Sequence, residues 1–130
     1  MTTAQKKFLI CFAIIMAMLN TYALYSNILY YIANPHDAVE TGMLFFNVIE
    51  QTYCIYIFFL FRAIRVNLFD KLVIYSIGAV SIILNLYYLL LDYQWTYIFS
   101  SVVFWMIYNT SMILFSLTLF HYIYKTKVLN

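Results

Sequence analysis

GMLFFNVIEQTYCIYIFFLF, residues Gly42–Phe61, is the stretch whose reading decides the fold. It is as long as the roughly 20 apolar residues that cross a bilayer core, and it carries one acid, Glu50, near its middle. An ionisable side chain at the bilayer centre is disfavoured by ~2.5–3.5 kcal/mol on insertion scales, so it must face a partner, a cavity or another protein. The rest of the chain is read outward from that acid.

Composition agrees with a membrane setting. Of 130 residues, 66% are hydrophobic and 9% are charged, with a mean hydropathy of +0.88. A soluble domain carries about 25% charged residues. Two Gly and one Pro exclude a collagen-like or disordered chain. The net charge is +2, and the cations cluster near the ends of apolar runs. That leaves no basic face for nucleic acid, and no nucleic-acid partner is expected. Cys11 and Cys54 lie inside apolar runs without C-x-x-C or zinc-ligand spacing, and read as small apolar residues.

The first apolar run, Phe8 to Ala33, exceeds the roughly 7–15 residues of a signal-peptide core and reads as a retained helix. Ala13, Ala17, Asn20, Leu24, Asn27 and Tyr31 form a small, polar stripe along it. Asn34-Pro35-His36-Asp37 stops it, because Pro cannot continue a helix. Asp37 with Glu40 resembles a capping box, which predicts a second helix over 38–61 with Asn47, Glu50, Gln51 and Cys54 sharing a face. Arg62–Lys71 (RAIRVNLFDK) is a charged connection in which Asn67 and Asp70 repeat the cap pattern. The third helix is predicted over 72–91 with a stripe of Gly78, Ser81, Asn85, Tyr88 and Asp92. Its small residues Ser76, Gly78, Ala79 and Ser81 admit a close neighbour. After a short turn the fourth helix is predicted over 96–124, with Ser101, Trp105, Asn109, Met112 and Ser116 on one side. Short turns make antiparallel neighbours. The expected fold class is an all-α integral membrane protein: a single transmembrane domain spanning 1–130, built as an antiparallel four-helix bundle.

In that topology the cations segregate. Lys6, Lys7, Arg62, Arg65, Lys71, Lys125 and Lys127 fall on one side, and Asp37, Glu40 and Asp92 on the other. The positive-inside rule then places both termini in the cytoplasm, and a bacterial inner (plasma) membrane is the expected location. Tyr30, Tyr31, Tyr93, Trp95 and Tyr97 would belt the outer interface, and Tyr75, Tyr122 and Tyr124 the inner one. The same seven cations are candidates for anionic lipid headgroups, at roughly 1 kcal/mol each.

A rise of about 1.5 Å per residue puts Asn20 roughly 18 Å and Asn85 roughly 20 Å from the inner helix ends, with Glu50 roughly 12 Å from the outer end. In a ~30 Å core these depths nearly coincide. The expected polar layer is therefore Glu50, Asn20 and Asn85, with Asn47, Gln51 and Asn109 nearby. Two readings stay open. In one, a protonated Glu50 donates to Asn side chains and fixes helix register. In the other, Glu50 binds a proton, a cation or an intramembrane partner.

No other constellation carries chemistry. His36, Asp37 and Glu40 read as loop and cap residues rather than metal ligands, and His121 as a headgroup-level residue. His36 and His121 lie at opposite faces, which excludes a bis-His haem, and no cofactor is expected. No Ser/His/Asp set, paired carboxylates or phosphate loop assembles, so catalysis is not expected. The C-x-x-C of dithiol oxidoreductases is missing, as is the Gly-rich chain with a first-helix acid of small multidrug exporters. The expected partners are the lipid bilayer and another membrane protein or a second copy. The expected task is non-enzymatic interaction within the bilayer, as an accessory subunit of a membrane complex or an immunity-type protein against a membrane-active toxin. The alternative is a small homo-oligomeric proton- or ion-coupled transporter using Glu50.

Overall fold

A computed structural model describes residues 3–33, 38–62, 66–94 and 99–125. They form four helices: α1 (Thr3–Ala33), α2 (Ala38–Arg62), α3 (Leu68–Gln94) and α4 (Phe99–Lys125). Each contains a segment long and apolar enough to cross a membrane, which fits a multi-pass membrane protein. Pro35, His36, Asp37, Arg65, Trp95, Tyr97 and Lys127 lie outside the described residues. So do the side chains of Tyr30, Glu40, Asp92, Tyr93 and Ser101. The expected Asp37–Glu40 cap and most of the outer aromatic belt therefore fall outside the description.

Two helix starts differ from those expected. α3 begins at Leu68 rather than Leu72, because Asn67 works as its N-cap. The Asp70 N–H donates to Asn67 Oδ1 at 2.8 Å and the Asn67 N–H donates to Asp70 Oδ2 at 3.0 Å. This reciprocal pair satisfies two donors that a helix start leaves orphaned, so the charged segment joins the helix. The same Asp70 accepts the Tyr56 hydroxyl, which ties the start of α3 to α2. α1 begins at Thr3, which places Lys6 and Lys7 inside its first turns. Arg62 closes α2 with its guanidinium 5.5 Å from the Phe58 ring centre.

The closest backbone approaches are α1 with α2 and α3 with α4, and α1 also touches α4. Along α1 and α4, Phe12 meets Phe115 and Tyr22 meets Phe104, at 5.0 and 4.7 Å between ring centres. α2 reaches α3 through long side chains: Phe46 to Tyr88, Glu50 to Ser81 and Asn85, Tyr53 to the Ile74 carbonyl. Gly78 lets a ring lie directly on the α3 backbone. A Cβ there would stand 2.6 Å from Phe120 Cε1 and 3.3 Å from the Tyr53 hydroxyl.

The outward faces are apolar, with Phe45 70%, Met18 68% and Ile83 66% exposed. Three hydroxyls on that surface are satisfied locally. Thr21, Thr52 and Thr118 each return their hydroxyl to the carbonyl four residues earlier, at 2.7–2.9 Å. This back-bonding gives each of those three hydroxyls an acceptor within its own helix. Between α2 and α3, Phe45, Phe46, Ile49, Ile77, Val80 and Leu84 line an open apolar groove of about 850 Å³.

Candidate functional site

Glu50 is fully buried, and its carboxylate is the hub of the interior. From α3, Ser81 Oγ and Asn85 Nδ2 both donate to Oε2 at 2.9 Å. From α4, the Tyr108 hydroxyl donates to Oε1 at 3.0 Å. Asn20 on α1 donates through Nδ2 to the Tyr108 hydroxyl. All four helices thus meet at one acid, three through direct contact or residence and α1 through Tyr108.

Helical spacing explains why these residues converge. Ser81 and Asn85 are one turn apart on α3, so both face the same point on α2. Asn85 is held by its own helix as well, donating to the Ser81 carbonyl at 2.7 Å and to Ser81 Oγ at 3.1 Å. A backbone carbonyl only accepts, so this bond fixes the orientation of the amide. Asn85 is therefore the donor to Glu50, the reverse of the direction in the first of the two readings of this acid.

The other expected members of the layer are distributed as follows. Asn47 and Asn109 are buried and lie one turn or less from the hub, against a small cavity. Gln51 turns away from it: one residue on from Glu50 is about 100° around a helix, and its Nε2 donates to Thr21 on α1 at 3.1 Å. Ser81 and Tyr108 are direct partners of Glu50 that depth matching did not select. Ser81 was in the predicted stripe of α3. Tyr108 lies three residues after Trp105 and four before Met112, on the face predicted for α4, and that spacing was its available signal.

The cavity is lined by Phe46, Asn47, Glu50, Asn85, Tyr88, Trp105, Tyr108 and Asn109. It offers about 10 Å³ to the centre of a water-sized sphere, room for one water. Two side-chain atoms of its lining residues, Asn47 Nδ2 and Asn85 Oδ1, are buried without a hydrogen-bond partner. Beyond Glu50 in the other direction lie Tyr53, Cys54, Ile57, Met112 and Phe115, all buried.

Among the candidate headgroup cations, Lys7, Arg62 and Lys125 are exposed and Lys6 and Lys71 half-buried. Arg62, Lys71 and Lys125 belong to the ends of α2, α3 and α4 that the Tyr56–Asp70 bond and the Tyr75–Phe120 ring contact join. Among the described residues no three His, Cys, Asp or Glu side chains cluster to hold a metal ion. Cys54 is buried and Cys11 faces outward, both as free thiols.

Fold and site together define a class: a four-helix chain with a membrane-type exterior and a buried acid as the interior hub. Comparison with known proteins finds no matching family model, no matching curated protein and no matching solved structure.

Proposed function

We propose that the chain forms an antiparallel transmembrane bundle with both termini cytoplasmic, and that it works by binding another membrane protein inside the bilayer rather than by catalysis. The order of the ring contacts supports an antiparallel α1 and α4, and the segregation of Lys and Arg in the sequence supports the orientation. The observation that carries the interaction reading is the direction of the polar groups. The donors around Glu50 converge inward on a nearly closed site, while the outside offers an apolar groove between α2 and α3. A chain so built spends its one intramembrane acid on holding its helices together and presents packing surface to its neighbours. An accessory subunit or an immunity-type protein has these needs.

The test is purification from native membranes in mild detergent. A second membrane protein should co-purify at fixed stoichiometry, be lost on Val80→Trp in the groove, and survive Glu50→Gln. Recovery of the chain only as a homo-oligomer would count against the proposal.

A second reading is transport of a proton or ion as a homo-oligomer, with Glu50 as carrier. The cavity beside the carboxylate favours it. Purified protein in vesicles loaded with a pH-sensitive dye separates the two, since proton flux abolished by Glu50→Gln belongs to the transporter alone.

A further inference from the structure

The cavity beside Glu50 lies to one side of the acid. Its lining residues Phe46, Asn47, Tyr88, Trp105 and Asn109 all lie toward the start of α2, the end of α3 and the start of α4. Toward the opposite ends, Tyr53, Cys54, Ile57, Met112 and Phe115 close the interior with buried side chains. The site is therefore asymmetric about the carboxylate.

The unpartnered atoms indicate what the cavity holds. Asn85 commits its Nδ2 hydrogens to Glu50 and Ser81, which leaves Oδ1 as an acceptor without a donor. Asn47, 4% exposed, has Nδ2 as a donor without an acceptor. Glu50 Oε1 receives the Tyr108 hydroxyl, and a carboxylate oxygen has a second acceptor position. One orphan donor, one orphan acceptor and one open carboxylate position are the complement of a single water molecule, which both donates and accepts. A water needs two to four polar partners and about 10–15 Å³, and the cavity supplies about 10 Å³. A bare cation fits worse, because the Asn47 N–H would be turned toward it.

We propose that this cavity binds one water molecule, which accepts from Asn47 and donates to Asn85 Oδ1 and Glu50 Oε1, and that the water is reached from the Tyr88–Trp105 side. Among the described lining residues Tyr88 and Trp105 are the two that are only half-buried, so theirs is the more exposed wall. The water completes the polar layer under either functional reading, because it is called for by the orphan atoms and not by a transport path.

Water-edited solid-state NMR on the full chain in lipid bilayers, labelled at Asn side chains and Ile methyls, reads this directly. The side-chain amides of Asn47 and Asn85 should gain polarisation from water rapidly, while the Ile57 methyl stays slow. Asn amides no faster than the Ile57 methyl would overturn the bound water, and a fast Ile57 would overturn one-sided access. In Asn47→Leu, which fills the cavity, transfer to Asn85 should drop to the Ile57 level. Undiminished transfer to Asn85 in a folded Asn47→Leu protein would count against the site. The wild-type measurement decides the question even if that variant does not fold.

Discussion

On one side of Glu50 the buried side chains include Asn27, Asn47 and Asn109, and on the other they include Tyr53, Cys54, Ile57, Met112, Phe115, Leu119 and Ile123. Ser116 is the polar exception in the second group, and its hydroxyl is buried without a partner. The two halves hold helices together by different means. In a bilayer, lipid tails are as apolar as Leu, so burying apolar surface between helices gains van der Waals contact but little else. That contact is large in sum and indifferent to which helix supplies it. A hydrogen bond between fixed donors and acceptors is small but selective. The apolar half therefore supplies cohesion, and the layer at Glu50 determines which faces of the four helices meet.

The largest effect expected is in the apolar half. Phe115 is fully buried, its ring centre 5.0 Å from Phe12 on α1 and 6.3 Å from Tyr53 on α2. Phe115→Ala removes contacts to two other helices at once and should destabilise the bundle by about 3 kcal/mol, the low end for a buried aromatic, because in lipid the void matters more than transfer from water. Reversible unfolding in mixed micelles measures it. A loss below that of a Glu50 variant would reverse the division of labour.

At the hub, Glu50→Leu deletes three interhelical bonds. At roughly 0.6 kcal/mol for a membrane hydrogen bond, the expected loss is about 2 kcal/mol. The sharper readout is specificity: cysteine pairs across α2 and α3 should cross-link at additional registers in this variant but not in Phe115→Ala. Glu50→Gln should lose less, yet it should not be neutral. Ser81, Asn85 and Tyr108 all donate to the carboxylate, and one of the two Gln positions is itself a donor. A wild-type register in Glu50→Leu would show that the apolar half alone specifies the fold.

Much of this was legible in the sequence, and the misses have physical causes. Long uncharged runs located four helices, because hydrocarbon tolerates few charges over a span. The start of α3 was placed too late for the same reason. Excluding Asp70 and Lys71 as charged discarded a segment whose own Asn67–Asp70 cap builds the first turn. Matching depth brought Glu50 and Asn85 to one level, since rise per residue is nearly constant. It did not reveal that Asn20 stops one side chain short, because depth says nothing about which helices adjoin. α1 packs along α2 and α4, so Tyr108 has to bridge. In a chain with 14 Tyr, no compositional signal singled that one out.

The cap itself offers a prediction remote from the hub. Asn67→Ala removes the side-chain acceptor for the Asp70 N–H and should lower stability by about 1 kcal/mol, as for other N-caps. Its effect should stay local, fraying Leu68–Lys71 in amide hydrogen exchange while the cross-linking register of α2 and α3 is unchanged. A register shift would mean that the Tyr56–Asp70 contact, and not only Glu50, specifies the pairing.

Effects the size of one or two hydrogen bonds distinguish members of the layer from each other. Oε2 of Glu50 receives two donors, Ser81 and Asn85, so Ser81→Ala leaves that oxygen with Asn85. Its expected loss is about 0.6 kcal/mol, one membrane hydrogen bond. Tyr108→Phe keeps the ring, and with it the packing on Phe104 and Trp105, but deletes both the bond to Oε1 and the bond from Asn20. Two bonds make about 1.2 kcal/mol, and the consequence differs in kind, because α1 then has no described route to the acid. Cross-links between α1 and α4 should broaden in Tyr108→Phe and stay sharp in Ser81→Ala. If both variants behave alike, the chain from Asn20 through Tyr108 to Glu50 does not position α1, and its placement falls to the apolar contacts of Phe12 and Tyr22.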